Sequence, residues 1–448
     1  MAADLPTLAA DLLAAAKRAG ADAADAMVVD GTSIAITVLG GTLESAERAE
    51  GVELGLRVFV GQRQAITSVS DSAPETIRTM AERAVAMAKE APDDPFIGLA
   101  DPGDLATDTD AQGLELNDPA PEPAPEYLQD LAARAEAAAL GVSGVSQVQS
   151  ANAAYAARRI HLAATNGLSG GYARTDNSLS CVAITGHGTE MERDYYGEMR
   201  VFQSDLPSPE EVGRLAGERT AERAGARKPP TGAYPVLYDE RVAASLIGHL
   251  LQAANGSAIV RGASWLRDAL GQAVLPSNLS VSEDPHRARA MGSKPFDAEG
   301  LPTKPRTIVE NGVLTGWTLD LATGRKLEMP STANAARSVA SSPTPSNSNI
   351  ALTQGPKSRE ELIRDMGTGL LVTSMIGSTI NPNTGDYSRG ASGFWVENGE
   401  ITYPVNECTV AGHLREMLMT LIPANDARPH LSRVVPSLLV EGMTIAGS

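Results

Sequence analysis

The sequence predicts an α+β fold, with an N-terminal α/β-sandwich-like domain and a β-rich C-terminal domain that contains a buried helix. The first observation is an opening order of helix, antiparallel strands and helix, which differs from the strict strand–helix alternation of a parallel nucleotide-binding sheet. The second is a run of turn signals in the second half, including Asn311-Gly312 and Asn398-Gly399, which are typical of antiparallel β structure.

The elements follow from hydrophobic periodicity and from start and stop residues. Apolar residues at helical spacing predict helices over residues 5–19 and 74–91, and alternating β-branched residues predict four strands between them. The run 117–125 carries Pro119, Pro121, Pro123 and Pro125, which exclude a helix or a central strand and predict a stiff linker or a long surface loop. Beyond it, a helix is predicted over 126–140, followed by strands over 143–150, 155–163, 178–186 and 195–202.

A second proline-rich stretch separates the two halves of the chain, and a helix is predicted just before it. Ser208, Pro209 and Glu211 form a helix start signal, and the stretch 228–232 is the expected main domain boundary. A strand is predicted over 233–239, a helix over 241–255, a capped helix from Ser358 and a last helix near 410–421. These limits predict an N-terminal α+β domain over 1–100, a proline-rich acidic linker or loop over 101–126, a central α+β segment over 127–228 that packs with the N-terminal part, and a β-rich C-terminal domain over 229–448.

The composition excludes several classes of function. The net charge of −18 argues against a nucleic-acid partner, because such affinity comes largely from Lys and Arg that neutralise phosphates. Only Cys181 and Cys408 are present, too few for a secreted disulfide scaffold. No apolar run approaches the roughly 20 residues that cross a bilayer, and the N-terminus lacks the order of a signal peptide. A cytoplasmic protein with no nucleic-acid or membrane partner is therefore expected.

Common catalytic motifs are absent from the sequence. It contains no H-E-x-x-H, no Walker loop and no G-x-G-x-x-G after a strand. The string G-x-S-x-G occurs over 167–171, but a nucleophile elbow needs a helix directly after the serine, and the residues that follow are strand-like. We interpret it as a glycine-rich turn.

Histidines supply the few remaining candidates for chemistry. His249 lies on the apolar helix over 241–255, where the simplest interpretation is a core helix with one hydrogen-bonded histidine; a lone metal ligand would need two more donors. His413 and Glu416, with Cys408 upstream, are a second possible zinc or hydrolytic group if they share a helix face. His187 and Glu190 are expected at a solvated hairpin end.

The most polar, glycine-rich stretch covers residues 381–393. Its three glycines suggest special backbone angles or the close approach of another chain. The stretch is either a structural loop or a substrate-groove or interface loop, in which Arg389 would be a carboxylate partner and Tyr387 an anchor. No base adjacent to Ser388 is evident from the sequence. The possible loop residues are Gly385, Asp386, Tyr387, Ser388 and Arg389.

Several of these stretches together resemble the TldD/PmbA metallopeptidase family, on its PmbA/TldE side. The resemblance spans nearly the whole chain, and its C-terminal motifs are the specific ones. It rests on GVELGLRV at 51–58, YPVLYDERVAASLIGHL at 234–250, NGSAI at 255–259, NPNTGDYSRGASGFWVENGEITYPV at 381–405 and TVAGHLREML at 409–418.

The resemblance implies a subunit without its own metal. TldD-type subunits carry H-E-x-x-x-H on the corresponding helix and a cysteine ligand near the C-terminus. Here the three motif positions hold Gly248, His249 and Ala253, a shift by one residue does not restore the motif, and the tail has no cysteine. Loss of the base and the ligands removes both the metal and the activated water. No catalytic residue, metal site or cofactor is therefore expected in this chain, and zinc is expected in a TldD-like partner.

Three functions remain open on the sequence. The leading one is a non-catalytic subunit of a TldD/TldE-type complex that acts on unfolded peptides, for example in peptide maturation or antitoxin turnover, with a homodimer possible without the partner. The second is a stand-alone hydrolase with an atypical centre, built from Cys408, His413 and Glu416 or from the 385–393 loop. The third is a regulatory binding protein of the DNA gyrase modulator type.

Overall fold

One long antiparallel sheet forms the N-terminal half of the computed structural model, which describes residues 4–447 except for the side chains of Ser378 and Thr379. Its strands lie in the order β3-β2-β1-β4-β5-β6, so neighbours in space are mostly neighbours along the chain. The strands are β1 (Ala23–Leu39), β2 (Thr42–Val60), β3 (Arg63–Val69), β4 (Val145–Ala164), β5 (Ser169–Thr185) and β6 (Glu192–Arg200).

Two pairs of helices lie side by side on the same face of this sheet. The helices are α1 (Leu5–Ala19), α2 (Pro74–Glu90), α3 (Pro125–Leu140) and α4 (Pro209–Ala221). The even-numbered residues of β1 point toward both helix pairs. Ala24, Ala26 and Val28 join the core under α1 and α2, and Ile34, Ile36 and Val38 join the core under α3 and α4. A strand of this length spans roughly 55 Å, enough for two helix pairs of about 10 Å diameter per helix.

The strands are longer than the sequence predicts. Two predicted strands merge into β2, which pairs with β1 without interruption at Gly31 and Gly51. Two more, predicted over 143–150 and 155–163, merge into β4, which runs unbroken across 151–154. Gly31 lies so close to β4 that a Cβ there would be 2.3 Å from the Ala157 carbonyl oxygen. Pairing on both sides therefore stabilises strand structure where the local sequence, with its Gly and Ala, indicates a break.

The proline-rich stretch runs along the sheet as a surface loop. Between Glu90 and Pro125 it contains two single-turn 3₁₀ helices, η1 (Pro102–Asp104) and η2 (Gln112–Leu114). The Leu116 carbonyl accepts from the Thr175 amide at 3.0 Å, and the Ala100 carbonyl accepts from Asn166 Nδ2 at 2.9 Å. These contacts hold the loop against β5 and the β4–β5 turn.

A second large sheet organises the C-terminal half and closes on itself. Its order is β16-β15-β14-β7-β19-β17, and an additional pairing joins β16 to β19. β7 and β14 are parallel, whereas the other pairs are antiparallel. The strands are β7 (Gly232–Tyr238), β14 (Gly369–Ile380), β15 (Asp386–Glu397), β16 (Glu400–His413), β17 (Ile422–Pro423) and β19 (Leu438–Ala446).

Short elements pack around this closed sheet. A five-stranded sheet has the order β10-β9-β8-β13-β18, and β11 pairs with β12. Its strands are β8 (Val281–Glu283), β9 (Arg306–Glu310), β10 (Val313–Leu314), β13 (Ile350–Leu352) and β18 (Arg433–Val434), and the pair is β11 (Ala335–Ala336) and β12 (Thr344–Pro345). The helices of this half are α5 (Glu240–Ala253), α6 (Gly256–Val260), α7 (Leu321–Lys326), α8 (Arg359–Met366) and α9 (Leu414–Met419). Two further single turns, η3 (Gly188–Glu190) and η4 (Gln203–Asp205), flank β6 in the N-terminal half.

The observed architecture confirms the α+β class, with helices layered on a sheet in the first half and mainly β structure around α5 in the second. In the part of the chain that the structure describes, no helix has the length and hydropathy needed to span a bilayer.

Candidate functional site

Helix α5 is built into the core of the C-terminal half. Asp239 caps its start, since the carboxylate accepts from the Arg241 amide at 3.2 Å. Leu246, Ile247 and Leu250 are fully buried in the main core cluster. The helix therefore confirms the predicted buried helix, but not on every face: Gly248 and His249 are half-buried and Gln252 is exposed. That face opens onto a cleft.

His249 is a packed and neutral histidine. Its ring meets the ring of Tyr387 edge-to-face, with 5.9 Å between centroids. Burial lowers the pKa of His249 to about 4, and the positive charge of Arg389 acts in the same direction. The predicted hydrogen bond is absent at one nitrogen, because Nε2 has no partner among the described residues. The imidazole at neutral pH thus keeps one unused polar atom.

The cleft beside α5 has a volume of about 590 Å³. The end of α5, the start of α6, Trp265 and the end of β14 contribute to it. Its lining residues are His249, Gln252, Ala253, Asn255, Ser257, Ala258, Arg261, Ala263, Trp265, Thr344, Pro345, Ile380 and Pro382. Of the three degenerate motif positions, His249 and Ala253 therefore line the cleft.

Residues 386–393 form part of strand β15, so the prediction of one long loop over 381–393 was wrong. Only 381–385 form the turn, with Gly385 at φ +87°, a value that favours glycine. The remaining residues pair with β14 on one side and β16 on the other, which gives their backbone groups regular partners. At Gly393 the close neighbour is a strand of this same chain, since a Cβ there would be 1.9 Å from the Leu371 carbonyl oxygen of β14.

The strand period decides which of the five predicted residues reach α5. Tyr387 and Arg389 share one face: Tyr387 is buried against His249, and Arg389 is near enough for its charge to affect that histidine. Arg389 Nε donates to the Gly377 carbonyl at 2.8 Å. Asp386 is exposed and accepts from Thr384 Oγ1 at 2.6 Å. Ser388 lies on the face of β15 opposite to Tyr387. Gly385 itself packs against Trp265 of the cleft.

The side chains at this site do not fit a zinc ion. In residues 4–447 no three His, Cys, Asp or Glu side chains come together in a way that could hold a metal. The groups around His249 are a phenol and a guanidinium, and neither is among the usual zinc ligands. Among the described residues that line the cleft, none is a carboxylate that could serve as a base. The side chains around α5 therefore do not support a metal-dependent catalytic step there.

The Cys408, His413 and Glu416 group is not assembled either. Val410 to His413 belong to strand β16, so the prediction of a helix over 410–421 was wrong in its first turn; α9 begins at Leu414. Cys408 and His413 are five residues apart on that strand, which puts them roughly 16 Å apart and on opposite faces. Burial raises the pKa of the Cys408 thiol to about 11, and its Sγ donates to the Ala391 carbonyl at 3.2 Å.

Two minor motifs behave largely as the sequence predicts. His187 and Glu190 are exposed beside a single 3₁₀ turn. The G-x-S-x-G string forms the β4–β5 turn and the start of β5, with no helix after Ser169. Sequence reasoning missed that Ser169 Oγ lies 3.2 Å from His161 Nε2. The alternation of the paired strands could have indicated this contact, because Ala163, two residues from His161, pairs with Ser169.

Comparisons with known proteins place the chain in one family. Models of the PmbA/TldA metallopeptidase family match in three parts: domain 1 at residues 24–88, the central domain at 118–227 and the C-terminal domain at 231–447. The chain is 37% identical to Metalloprotease PmbA from Escherichia coli O157:H7, covering 95% of this chain and 92% of that protein. It is also 37% identical to the Metalloprotease PmbA homolog from Haemophilus influenzae, covering 97% and 94%.

Solved structures agree with this fold over nearly the full length. A candidate modulator of DNA gyrase from Bacteroides thetaiotaomicron superposes with a TM-score of 0.90 at 26% identity and covers all of both chains. TldE from Thermococcus kodakarensis, at 20% identity, shares the fold with a TM-score of 0.85 and covers 98% of this chain and 100% of that one. Three family models in chain order, together with relatives above 30% identity across nearly the whole sequence, establish that this chain belongs to the PmbA/TldA metallopeptidase family.

Proposed function

We propose that this chain is a PmbA/TldE-like, non-catalytic subunit of a cytoplasmic metallopeptidase complex that acts on unfolded peptides. One observation carries the proposal: the three motif positions on α5 hold Gly248, His249 and Ala253, of which the last two line the cleft, and no zinc-ligand set gathers around them in the described residues. A zinc peptidase needs three protein ligands and a base near the bound water. A TldD-like subunit would supply both.

The electrostatics around His249 support the same assignment. A metal cation bound at this ring would be repelled by Arg389, which places a positive charge near it, and no carboxylate or thiolate among the described residues offsets that charge there. The E. coli and H. influenzae relatives are named metalloproteases, and the name of the T. kodakarensis structure, TldE, matches the subunit type that we propose. The proposed role accounts for both, since a subunit can share the family fold while its partner performs the chemistry.

The test compares the chain alone with the chain mixed with a TldD-type subunit of the same family. We expect no stoichiometric zinc and no cleavage of an unfolded peptide by the isolated chain, and a gain of cleavage on mixing. The readouts are metal analysis of the purified samples and mass spectrometry of the peptide. Zinc-dependent cleavage by the isolated chain would contradict the proposal.

A stand-alone hydrolase built on Cys408 is not supported by the geometry, because Cys408 and His413 lie on opposite faces of β16. Alanine at both positions gives a direct check. Complex activity that is unchanged in the Cys408→Ala and His413→Ala variants agrees with the proposal. Loss of peptide cleavage in both variants, with their folding intact, would favour the hydrolase.

The gyrase-modulator name of the B. thetaiotaomicron structure keeps a regulatory binding role as the second candidate. Affinity purification of the tagged chain from its own cells separates the two functions. Recovery of a TldD-type peptidase subunit supports the peptidase role, and recovery of gyrase subunits without a peptidase would favour the regulatory one.

A further inference from the structure

The lining of the α5 cleft is unusual for such an acidic chain. The protein has 55 Asp and Glu residues against 37 Lys and Arg, yet none of the described lining residues is acidic and Arg261 is cationic. A carboxylate near Arg261 would normally neutralise it, as happens at many of the other arginines of this chain. Here no described carboxylate forms an ion pair with Arg261. The cleft is therefore positive where the surface as a whole is negative.

Two further arginines lie around the same helix without carboxylate partners among the described residues. Arg389 Nε donates to the Gly377 carbonyl, and the charge of Arg389 lowers the pKa of His249. Arg433 brings Nη1 to 3.9 Å from the position that a Cβ at Gly248 would occupy. Arg433 is exposed at the surface, so its charge reaches solvent beside α5. The region thus carries three guanidinium groups and a neutral imidazole.

The walls of the cleft combine donors with an apolar surface. Trp265 supplies a rigid indole that is almost fully buried, with its backbone held by Arg415, which donates to the Trp265 carbonyl. Arg261 contributes the guanidinium donors of this lining, and its side chain is exposed. A guanidinium beside a flat apolar wall suits a planar anion such as a carboxylate, because its N–H groups match two oxygens at once.

We propose that the α5 cleft binds a carboxylate of an unfolded peptide, with Arg261 as its ion-pair partner and Trp265 as the flat apolar wall beside it. The proposal rests on the proposed function, since it takes peptides as the class of ligand, and it assigns them a contact in this chain. The TldD-type subunit holds a cation at the equivalent helix, according to the resemblance, whereas this chain offers an anion site there. The carboxylate comes either from the C-terminus of the peptide or from an acidic side chain.

The experiment measures binding of four short acetylated peptides of glycine, serine and alanine to the full chain by isothermal titration calorimetry. In the first pair, one peptide ends in a free carboxylate and the other in an amide. In the second pair, both peptides end in an amide, and one carries a central glutamate where the other carries glutamine. We expect the wild type to prefer a carboxylate form by about tenfold or more, since a charge-assisted bond to a guanidinium is lost in the neutral form. The preference should decrease with added salt.

Variants tie the preference to the cleft. Arg261→Gln should remove it, and Arg261→Lys should restore part of it. Arg267→Gln is the matched control, because Arg267 is exposed, pairs with Asp268 and does not line the cleft. Thermal unfolding of each variant shows that it is folded before its affinity is compared.

The outcomes are distinguishable. A preference for the free C-terminus that Arg261→Gln removes identifies the terminal carboxylate, and a preference for glutamate over glutamine that it removes identifies an acidic side chain. Equal binding of all four peptides, no binding, or a preference that survives in folded Arg261→Gln overturns the proposal. These results leave the proposed function intact if mixing with the TldD-type subunit still yields cleavage. Selective carboxylate binding without any gain of cleavage on mixing would overturn the proposed function instead.

Discussion

The two halves of this chain use β structure in opposite ways. In the N-terminal half, six antiparallel strands pair largely in chain order, and their alternating residues place apolar groups under one layer of helices. In the C-terminal half, the sheet closes through β16 and β19, and the parallel pair β7 and β14 joins residues more than one hundred positions apart. The regularly paired N-terminal sheet therefore forms a scaffold. The less regular C-terminal half brings side chains that are distant in sequence to the α5 cleft.

A buried ion cluster connects the halves. Asp25 on β1 accepts from Arg57 Nε of β2 at 2.8 Å and from Arg337 of the C-terminal half. All three side chains are at most 7% exposed. Glu299 lies in the same small cavity, next to Arg57 and Arg337.

The largest effect is expected for Asp25→Ala. The substitution leaves the guanidinium groups of Arg57 and Arg337 buried without their carboxylate, which should lower the free energy of unfolding by about 3–5 kcal/mol. Urea unfolding measures it. The exposed pair of Glu75 and Arg78 gives the control, and Glu75→Ala should stay close to wild type.

The pH dependence of this difference has a definite sign. Burial raises the pKa of Asp25, but Arg337 and Arg57 lower it by more, so the net pKa lies below its ordinary value. The contribution of Asp25 to stability is then present above pH of about 4 and is lost as the pH falls further. A difference between Asp25→Ala and wild type that grows in acid would contradict this account.

Core truncations test whether the halves unfold together. Leu12 on α1 and Leu246 on α5 are both fully buried, and Leu→Ala at either should cost about 2–5 kcal/mol. All three tryptophans, Trp265, Trp317 and Trp395, lie in the C-terminal half, so their fluorescence reports that half alone. If the interface couples the halves, Leu12→Ala shifts the fluorescence transition as much as the circular dichroism transition. Separate midpoints for the two probes would show independent halves.

A smaller effect, of opposite sign, is expected for Glu299→Gln. Burial, with the charge of Asp297, raises the pKa of Glu299 to about 8. The folded state therefore keeps a proton that the unfolded chain releases near pH 4.5, and wild-type stability falls as the pH rises from there toward 8. Glutamine cannot ionise and still accepts from the Leu321 amide, so the variant should gain on the order of 2 kcal/mol at pH 8 and less at pH 5.

Thermal unfolding at several pH values measures the effect of Glu299→Gln. Glu310→Gln, at an exposed position of the same half, is the control. A variant whose stability follows the same pH profile as wild type would show that Glu299 does not carry this dependence.

The smallest effects compare a helix cap in each half. Ser208 Oγ accepts from the Glu211 amide at the start of α4, and Ser358 Oγ accepts from the Glu361 amide at the start of α8, both at 3.2 Å. Ser→Ala at either site should cost about 1 kcal/mol in urea unfolding, and Ser→Asp should retain most of the stability. Equal losses in the Ala and Asp variants would show that capping is not the cause.

The sequence by itself determined the features that depend on near neighbours. Helix α1 occupies the predicted residues, and Ser208 and Ser358 cap α4 and α8 as their motifs indicate, because capping and helical periodicity involve contacts within one or two turns. The altered motif at Gly248, His249 and Ala253 is also visible in the sequence alone, since it depends only on residue identity and spacing.

Tertiary structure decided what depends on pairing between distant strands. Residues 386–393 look like a polar loop in the sequence, but β14 and β16 on either side give their backbone groups partners and make them a strand. The same pairing turns Tyr387 and Arg389 toward His249 and separates Cys408 from His413 across β16. Local sequence cannot specify such partners, because each pair is set by long-range register and by the closure of the sheet.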